Sequence, residues 1–197
     1  MEKRVLTIPL KEQEVRELSA GDTVYLTGHI FTSRDMGHLK LKELAEKGEP
    51  LPKDFHGAVI FHAGPVCLKR PDSTWYLNVI GPTTSIRMEP YADMVGKLGV
   101  RAIIGKGGME QGTLIAGEKY GYVYLQAAPG CAADLARFVR RVCSVDWFEM
   151  GMPEALWDLE VEEFGPLVVG MDTRQNSIYT KVKTAAQKKL DEIYPGP

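Results

Sequence analysis

Apolar and polar positions fall in short blocks along the chain, and the repeat of the blocks switches several times. Leu10, Val15 and Leu18 predict a first helix over about Lys11–Leu18, ended by Ala20-Gly21-Asp22. Thr23–Thr27 alternates and is rich in β-formers, which predicts a strand; Gly28 follows, then a polar loop with Thr32, Ser33, Arg34 and Asp35. Leu39, Leu41 and Leu44 predict a helix over Met36–Lys47, stopped by Gly48-Glu49-Pro50. Gly57–His62 and Trp75–Ile80 read as strands, closed off by Gly64-Pro65 and Gly81-Pro82. A helix to about Leu98 follows, with Pro90 in its first turn because proline donates no backbone N–H. Val100–Ile104 and Tyr122–Leu125 predict strands on either side of a helix over Glu110–Lys119.

The last third reads similarly. Leu135, Phe138, Val139 and Val142 share one helical face and predict a helix over Ala132–Val142. Trp157–Val161 and Leu167–Met171 predict strands. Asn176 or Ser177 caps a final helix to about Tyr194, with Ile178, Val182, Ala185, Ala186 and Leu190 as its apolar stripe. Strands interleave with helices, and no Pro/Ser linker divides the chain. The expected class is α/β: one domain over 1–197, with residues 1–21 as an N-terminal arm and a mostly parallel or mixed central sheet flanked by helices.

Composition narrows the function. The formal net charge of -2 argues against bulk binding of nucleic acid or an anionic membrane, so any cationic site must come from a few placed residues. Cys67, Cys131 and Cys143 form no Cys-x-x-Cys pair, and their odd number suggests no disulfide framework; they read as small buried residues. The first residues are charged and then broken by Pro9, without the apolar run of a signal peptide, and no apolar stretch is long enough for a bilayer. A cytoplasmic protein is expected.

Three loops after predicted strands carry the candidate chemistry. The first, Thr32–His38, offers Arg34, whose planar fork suits a carboxylate or phosphate; taken by type alone, His38 reads first as a packing or surface histidine. The second, Gly81–Met88, places Thr83, Thr84 and Ser85 before a helix, with Arg87 one turn on. These hydroxyls suit helix capping and anion binding equally. The third, Gly105-Lys106-Gly107-Gly108, combines close backbone approach with a point charge, but it lacks the Ser or Thr of a Walker loop and alone reads first as a turn. His29, His56 and His62 are scattered without a His-x-x-x-His, which argues against a protein-held zinc site; His62 reads as a satisfied core histidine. No Gly-x-Ser-x-Gly elbow is present.

Taken in order, Gly21-Asp22-Thr23-Val24, Thr32-Ser33-Arg34-Asp35 with His38, Gly64-Pro65, Gly81-Pro82-Thr83-Thr84 with Arg87-Met88, and Gly105-Lys106-Gly107 resemble the C-terminal domain or separate β subunit of class I fumarate hydratases and L-tartrate dehydratases. Glu149–Ala155 and Val161–Phe164 are similar to the family's closing segment. The resemblance implies a swivelling α/β domain that closes on a partner α subunit carrying a [4Fe-4S] cluster, in a higher oligomer of such pairs. This chain's cysteines do not match the family's ligand pattern, so it is not expected to hold the cluster alone. The implied reaction is reversible dehydration of a small hydroxy-dicarboxylate, malate to fumarate, with tartrate as the alternative substrate. Carried over by position, Arg34, Arg87 and Lys106 are implied to bind substrate and Thr83 to act as the catalytic base with Thr84 beside it; Asp35 and His38 are implied to order the Arg34 loop. Gln175 departs from the family, which commonly has glycine there. A dicarboxylate-binding module without catalysis is the competing class, and a purely structural protein the third.

Overall fold

A computed structural model describes residues 3–194. Residues 1 and 2 of the expected arm, and residues 195–197, lie outside the described residues. The strands are β1 (Arg4–Thr7), β2 (Thr23–Thr32), β3 (Val59–Phe61), β4 (Val66–Lys69), β5 (Trp75–Val79), β6 (Ala102–Gly105), β7 (Val123–Gln126), β8 (Val139–Asp146) and β9 (Leu156–Met171). The helices are α1 (Glu12–Arg16), α2 (Asp35–Lys47), α3 (Ala92–Lys97), α4 (Gln111–Tyr120), α5 (Ala132–Ala136) and α6 (Ile178–Ile193), with 3-10 turns at Ser85–Tyr91 and Phe148–Met150.

The central sheet is mixed and has seven strands in the order β1-β2-β3-β6-β7-β9-β8, and a further β2–β9 pairing joins its two sides into a ring. Strands β2, β3, β6 and β7 run parallel, so their C-terminal ends open on one side. β9 runs antiparallel to β2, β7 and β8. The parallel strands are buried on both faces. Val59 and Phe61 of β3 enter one apolar cluster with Val24, Leu26, Ile104, Leu159 and Phe164, while Ile60 enters a second with Leu41, Val95, Ile103 and Leu114. Period-two alternation into two cores explains why these segments read as continuous apolar runs. Residues before β2 join the first core: β1 pairs in parallel with β2, and Leu6, Leu10, Val15 and Leu18 are buried in it.

Several expected elements are corrected. The helix over Ala132–Val142 ends at Ala136, and β8 begins at Val139. Phe138, Val139 and Val142 still reach the first core, but from the turn and strand paired with β9 rather than from a helix. β-Branched side chains fit that pleated surface, and the free edge of β9 supplies backbone partners that a solitary helix lacks. The two strands expected at Trp157–Val161 and Leu167–Met171 are one strand of 16 residues. The strand expected at Thr23–Thr27 continues through Gly28 to Thr32. Gly28 sits at a bulge with φ +126°, where a Cβ would stand 2.8 Å from the Ile8 carbonyl oxygen. β5 lies outside the central sheet and pairs with the unexpected β4 as a hairpin. The helix expected up to Leu98 is a 3-10 turn that contains Pro90 near its end, followed by a separate α3.

Ser177 caps α6 through a hydrogen bond from the Thr180 N–H, as the sequence suggests. The apolar stripe of α6 does not enter a core, however; Val182 is 68% exposed and Leu190 49%. Among the described residues no helix is long and apolar enough to cross a membrane.

Candidate functional site

The three loops flagged in the sequence converge at the C-terminal ends of the parallel strands. β2 hands its chain to α2 through Ser33 and Arg34; the Ser33 N–H donates to the Phe61 carbonyl at the end of β3 (3.0 Å). The residue after β3, His62, accepts at its carbonyl from the Thr83 N–H (2.7 Å). Lys106 follows β6, donating its N–H to the Thr83 carbonyl (3.3 Å) and accepting at its own carbonyl from the Ser85 N–H (3.0 Å). Backbone hydrogen bonds therefore fix Thr83, Thr84 and Lys106 side by side, independently of their side chains.

The cations are held differently. Arg87 forks onto Asp35, Nε to Oδ1 at 2.8 Å and Nη2 to Oδ2 at 3.0 Å, and Nη2 also donates to Thr83 Oγ1 at 3.1 Å. The Arg87 hydrogen bonds hold the Asp35 carboxyl below its usual range, against a smaller opposing effect of burial. Asp35 thus orders Arg87 directly. Arg34 Nε lies 3.2 Å from Glu154 Oε1 without hydrogen-bond alignment. A Cβ on Gly64 would stand 2.8 Å from Arg34 Nη1, so the Gly64-Pro65 step is a steric platform for the guanidinium. Lys106 has no ion pair among the described residues, and its side chain is half-buried.

Thr84 stands at the N-cap of the 3-10 turn with no side-chain capping bond. The capping explanation for this hydroxyl, open in the sequence, therefore does not account for it. Ser85 has turned inward instead. Its Oγ lies 3.0 Å from His62 Nδ1 and accepts from Tyr124 O–H at 3.1 Å; a Cβ on Gly105 would fall 1.8 Å from it.

Beneath the loops sit two histidines. His38 is fully buried, with Nδ1 3.0 Å from the Arg34 carbonyl and 2.8 Å from Ser33 Oγ. The carbonyl contact places the proton on Nδ1. Burial pushes the His38 pKa down to about 4, against the opposing influence of the Arg34 carbonyl and Asp35, so the ring is neutral near pH 7. It packs behind the Arg34 loop through these two contacts. His62 meets it edge to face, with ring centroids 5.0 Å apart, and is driven well below its ordinary value by burial, then by His38 and Arg87. The Nε2 atoms of both rings are buried without a partner, so His62 is only half satisfied.

Glu154, Ser85 and Tyr124 were not singled out as site residues by the sequence. Glu154 lies in the segment flagged only for its likeness to the family's closing stretch. Ser85 read only as one of the capping or anion-binding hydroxyls of the second loop and Tyr124 carries no local signal, because their pairing is made by tertiary packing. At the departure noted for Gln175, the residue adopts φ +61°, the left-handed conformation that glycine takes without strain.

The cysteines of this chain are far from forming an iron-sulfur ligand set. Cys67 lies in β4, Cys131 at the start of α5 and Cys143 in β8, and no group of donors among the described residues unites the three. Cys67 is buried, and its thiol is pushed up to about 12 by that burial. A three-thiolate set from the described residues of this chain does not fit the geometry.

Comparison with known proteins identifies the family. The chain is 47% identical over 186 residues to a Methanocaldococcus jannaschii protein named "Putative L(+)-tartrate dehydratase subunit beta", covering 93% of this chain and 95% of that one. It is 39% identical over 192 residues to the L(+)-tartrate dehydratase subunit beta of Escherichia coli K12, covering 97% and 94%. It is 42% identical over 195 residues to a Geobacillus stearothermophilus protein named "Putative fumarate hydratase class I", covering 98% of this chain but 37% of that longer protein. The Fumarase C-terminus family matches residues 2–182, and with the three loops assembled at one sheet edge the chain belongs to that family.

Proposed function

We propose that this chain is the β subunit of a two-subunit hydro-lyase that reversibly removes water from a small hydroxy-dicarboxylate, and that the loop cluster binds the substrate. The observation that carries this reading is the convergence of Thr83, Arg87 and Lys106, with Arg34 joined to the group through the adjacent Asp35–Arg87 pair. Three cations in one place suit a dianion in a chain whose overall charge is slightly negative. Asp35 stands where one substrate carboxylate would compete for the Arg87 fork, which keeps that fork ordered beforehand. Lys106, with no ion pair among the described residues, supplies the charge for the other end of the substrate.

Thr83 is the group proposed to move the proton. Arg87 Nη2 donates to Thr83 Oγ1, and a cationic donor favours an oxyanion at that atom. Thr84 is held beside it by the bridge to Lys106. A [4Fe-4S] cluster on a partner α subunit would supply a Lewis acid for the departing hydroxyl. Arg34, Arg87 and Lys106 orient the carboxylates so that the carbon bearing the proton faces Thr83 Oγ1. We place the enzyme in the cytoplasm, as a higher oligomer of α–β pairs.

Malate and tartrate are the two substrates in view. The relatives' names keep both in view: the Methanocaldococcus jannaschii and Escherichia coli proteins carry a tartrate dehydratase name and the Geobacillus stearothermophilus protein a fumarate hydratase name. Steady-state assay of the complex with its α partner on both substrates decides between them. For the site itself, Thr83→Ala in that complex is expected to lower kcat by about 10²-fold or more, in the range of a lost general base. Complex formation and melting should be unchanged, and an unaltered kcat would remove Thr83 from the chemistry.

A further inference from the structure

The sequence scatters the histidines and argues against a zinc site, but the fold assembles one donor set that spacing along the chain conceals. His29 of β2, Cys143 of β8 and Asp158 of β9 bring a ring nitrogen, a sulfur and a carboxylate oxygen within 4.8 Å of one another. None of the three belongs to the loop cluster. β9 lies between the other two strands, with Phe31 opposite Asp158 on one side and Ser144 opposite Asp158 on the other. The pairing slips between Val142 and Ser144, and Cys143 is the extra residue. Bulges of this kind re-aim a side chain, here toward Asp158.

We propose that His29 Nδ1, Cys143 Sγ and Asp158 bind a single zinc-class divalent cation, with water completing a tetrahedron. One nitrogen, one sulfur and one oxygen donor suit zinc, and one thiolate plus one carboxylate neutralise a dication. His29 Nδ1 already lies 2.7 Å from Asp158 Oδ1. Donors around tetrahedral zinc stand roughly 3.5 Å apart, so the pair opens and the thiol closes by small rotations on adjoining, mutually hydrogen-bonded strands. The His29 side chain is 50% exposed and leaves the fourth position open to solvent. Asp158 is only 14% exposed, so its carboxylate is fixed by its surroundings.

Two cations stand near, and each already has a carboxylate: Arg141 pairs with Glu160 at 3.0 Å, and Lys53 with Asp146 at 3.1 Å. Arg141 also contacts Cys143, and on metal binding it keeps Glu160 while the sulfur turns to the ion.

Titration of the reduced full-length chain with Co²⁺ tests the site. The expected result is one equivalent bound, with a sulfur-to-cobalt charge-transfer band and d–d bands of tetrahedral intensity, both removed by Zn²⁺. Cys143→Ser should abolish the charge-transfer band, and His29→Ala should weaken binding by at least about tenfold. Cys131→Ser should change neither. A missing sulfur band in the wild-type chain, or a band that survives Cys143→Ser, overturns the proposal. If a variant fails to fold by circular dichroism, alkylation of the wild-type chain replaces it: Zn²⁺ should protect Cys143 and leave Cys131 reactive. Equal labelling of Cys143 with and without Zn²⁺ overturns the proposal as well.

Discussion

The parallel strands β2, β3, β6 and β7 and the antiparallel pair β8–β9 share one core but build it by opposite routes. In the parallel part each strand hands its chain to a loop at the same edge, so residues far apart in sequence, Arg34, Thr83 and Lys106, meet there by topology. In the antiparallel part the long strand β9 acts as a brace. It pairs with β2 along most of its length, crosses to β7 at its end, and carries β8 on its outer edge. The first region concentrates unlike charges and hydroxyls on loops. The second places polar side chains on sheet faces, where Cys143 and Asp158 meet His29 of β2. The function proposed for the first rests on loop convergence, and stability of the ring rests on the second.

That contrast can be broken at its strongest point. Phe164 of β9 is fully buried and packs edge to face on Phe61 of the parallel part, with ring centroids 5.6 Å apart. Phe164→Ala should cost about 3–5 kcal/mol in denaturant unfolding. A loss below about 1 kcal/mol would show that β9 does not brace the ring.

Gly105→Ala is the next largest. Its Cβ would collide with Ser85 Oγ and force that side chain off His62 and Tyr124. The expected cost is about 1–3 kcal/mol, typical of overpacking. The same variant should also disturb the Thr83–Lys106 backbone bonds, seen as weaker substrate binding in the assembled enzyme.

Acidification separates the two regions more gently. His38 titrates near 4 in the folded chain, below the ordinary 6.5, so between those values the unfolded chain binds more protons. Its contribution to stability is complete above about pH 6.5 and falls as pH drops toward 4. Unfolding free energies of the wild type at pH 7 and pH 4.5, against His38→Gln, should show a steeper loss in the wild type. Equal slopes would mean that His38 is accessible to protons when folded.

The smallest effect is expected on α6. Val182 is exposed, and Val182→Ser should change stability by no more than about 0.5 kcal/mol. A larger loss would mean that the stripe packs in solution.

Local sequence determined most of the parallel part. Val59-Ile60-Phe61 and Ala102-Ile103-Ile104 are strands of apolar residues bounded by turn signals, and Gly48 takes the left-handed conformation that ends α2. The candidate loops were legible because Gly, Pro and hydroxyl residues mark strand ends, and because their order resembles a known family. Four things were decided only by tertiary structure. The segment after Ala136 became β8, since its apolar residues satisfy a helical face and a strand face alike and the open edge of β9 chose between them. The stripe of α6 met no core, because periodicity states which side is apolar and not whether anything covers it. Asp35 paired with Arg87 across 52 positions, and His29, Cys143 and Asp158 gathered on three strands. Side-chain chemistry is written in the sequence, but distances between such groups are set by strand order and register, which only the folded sheet fixes.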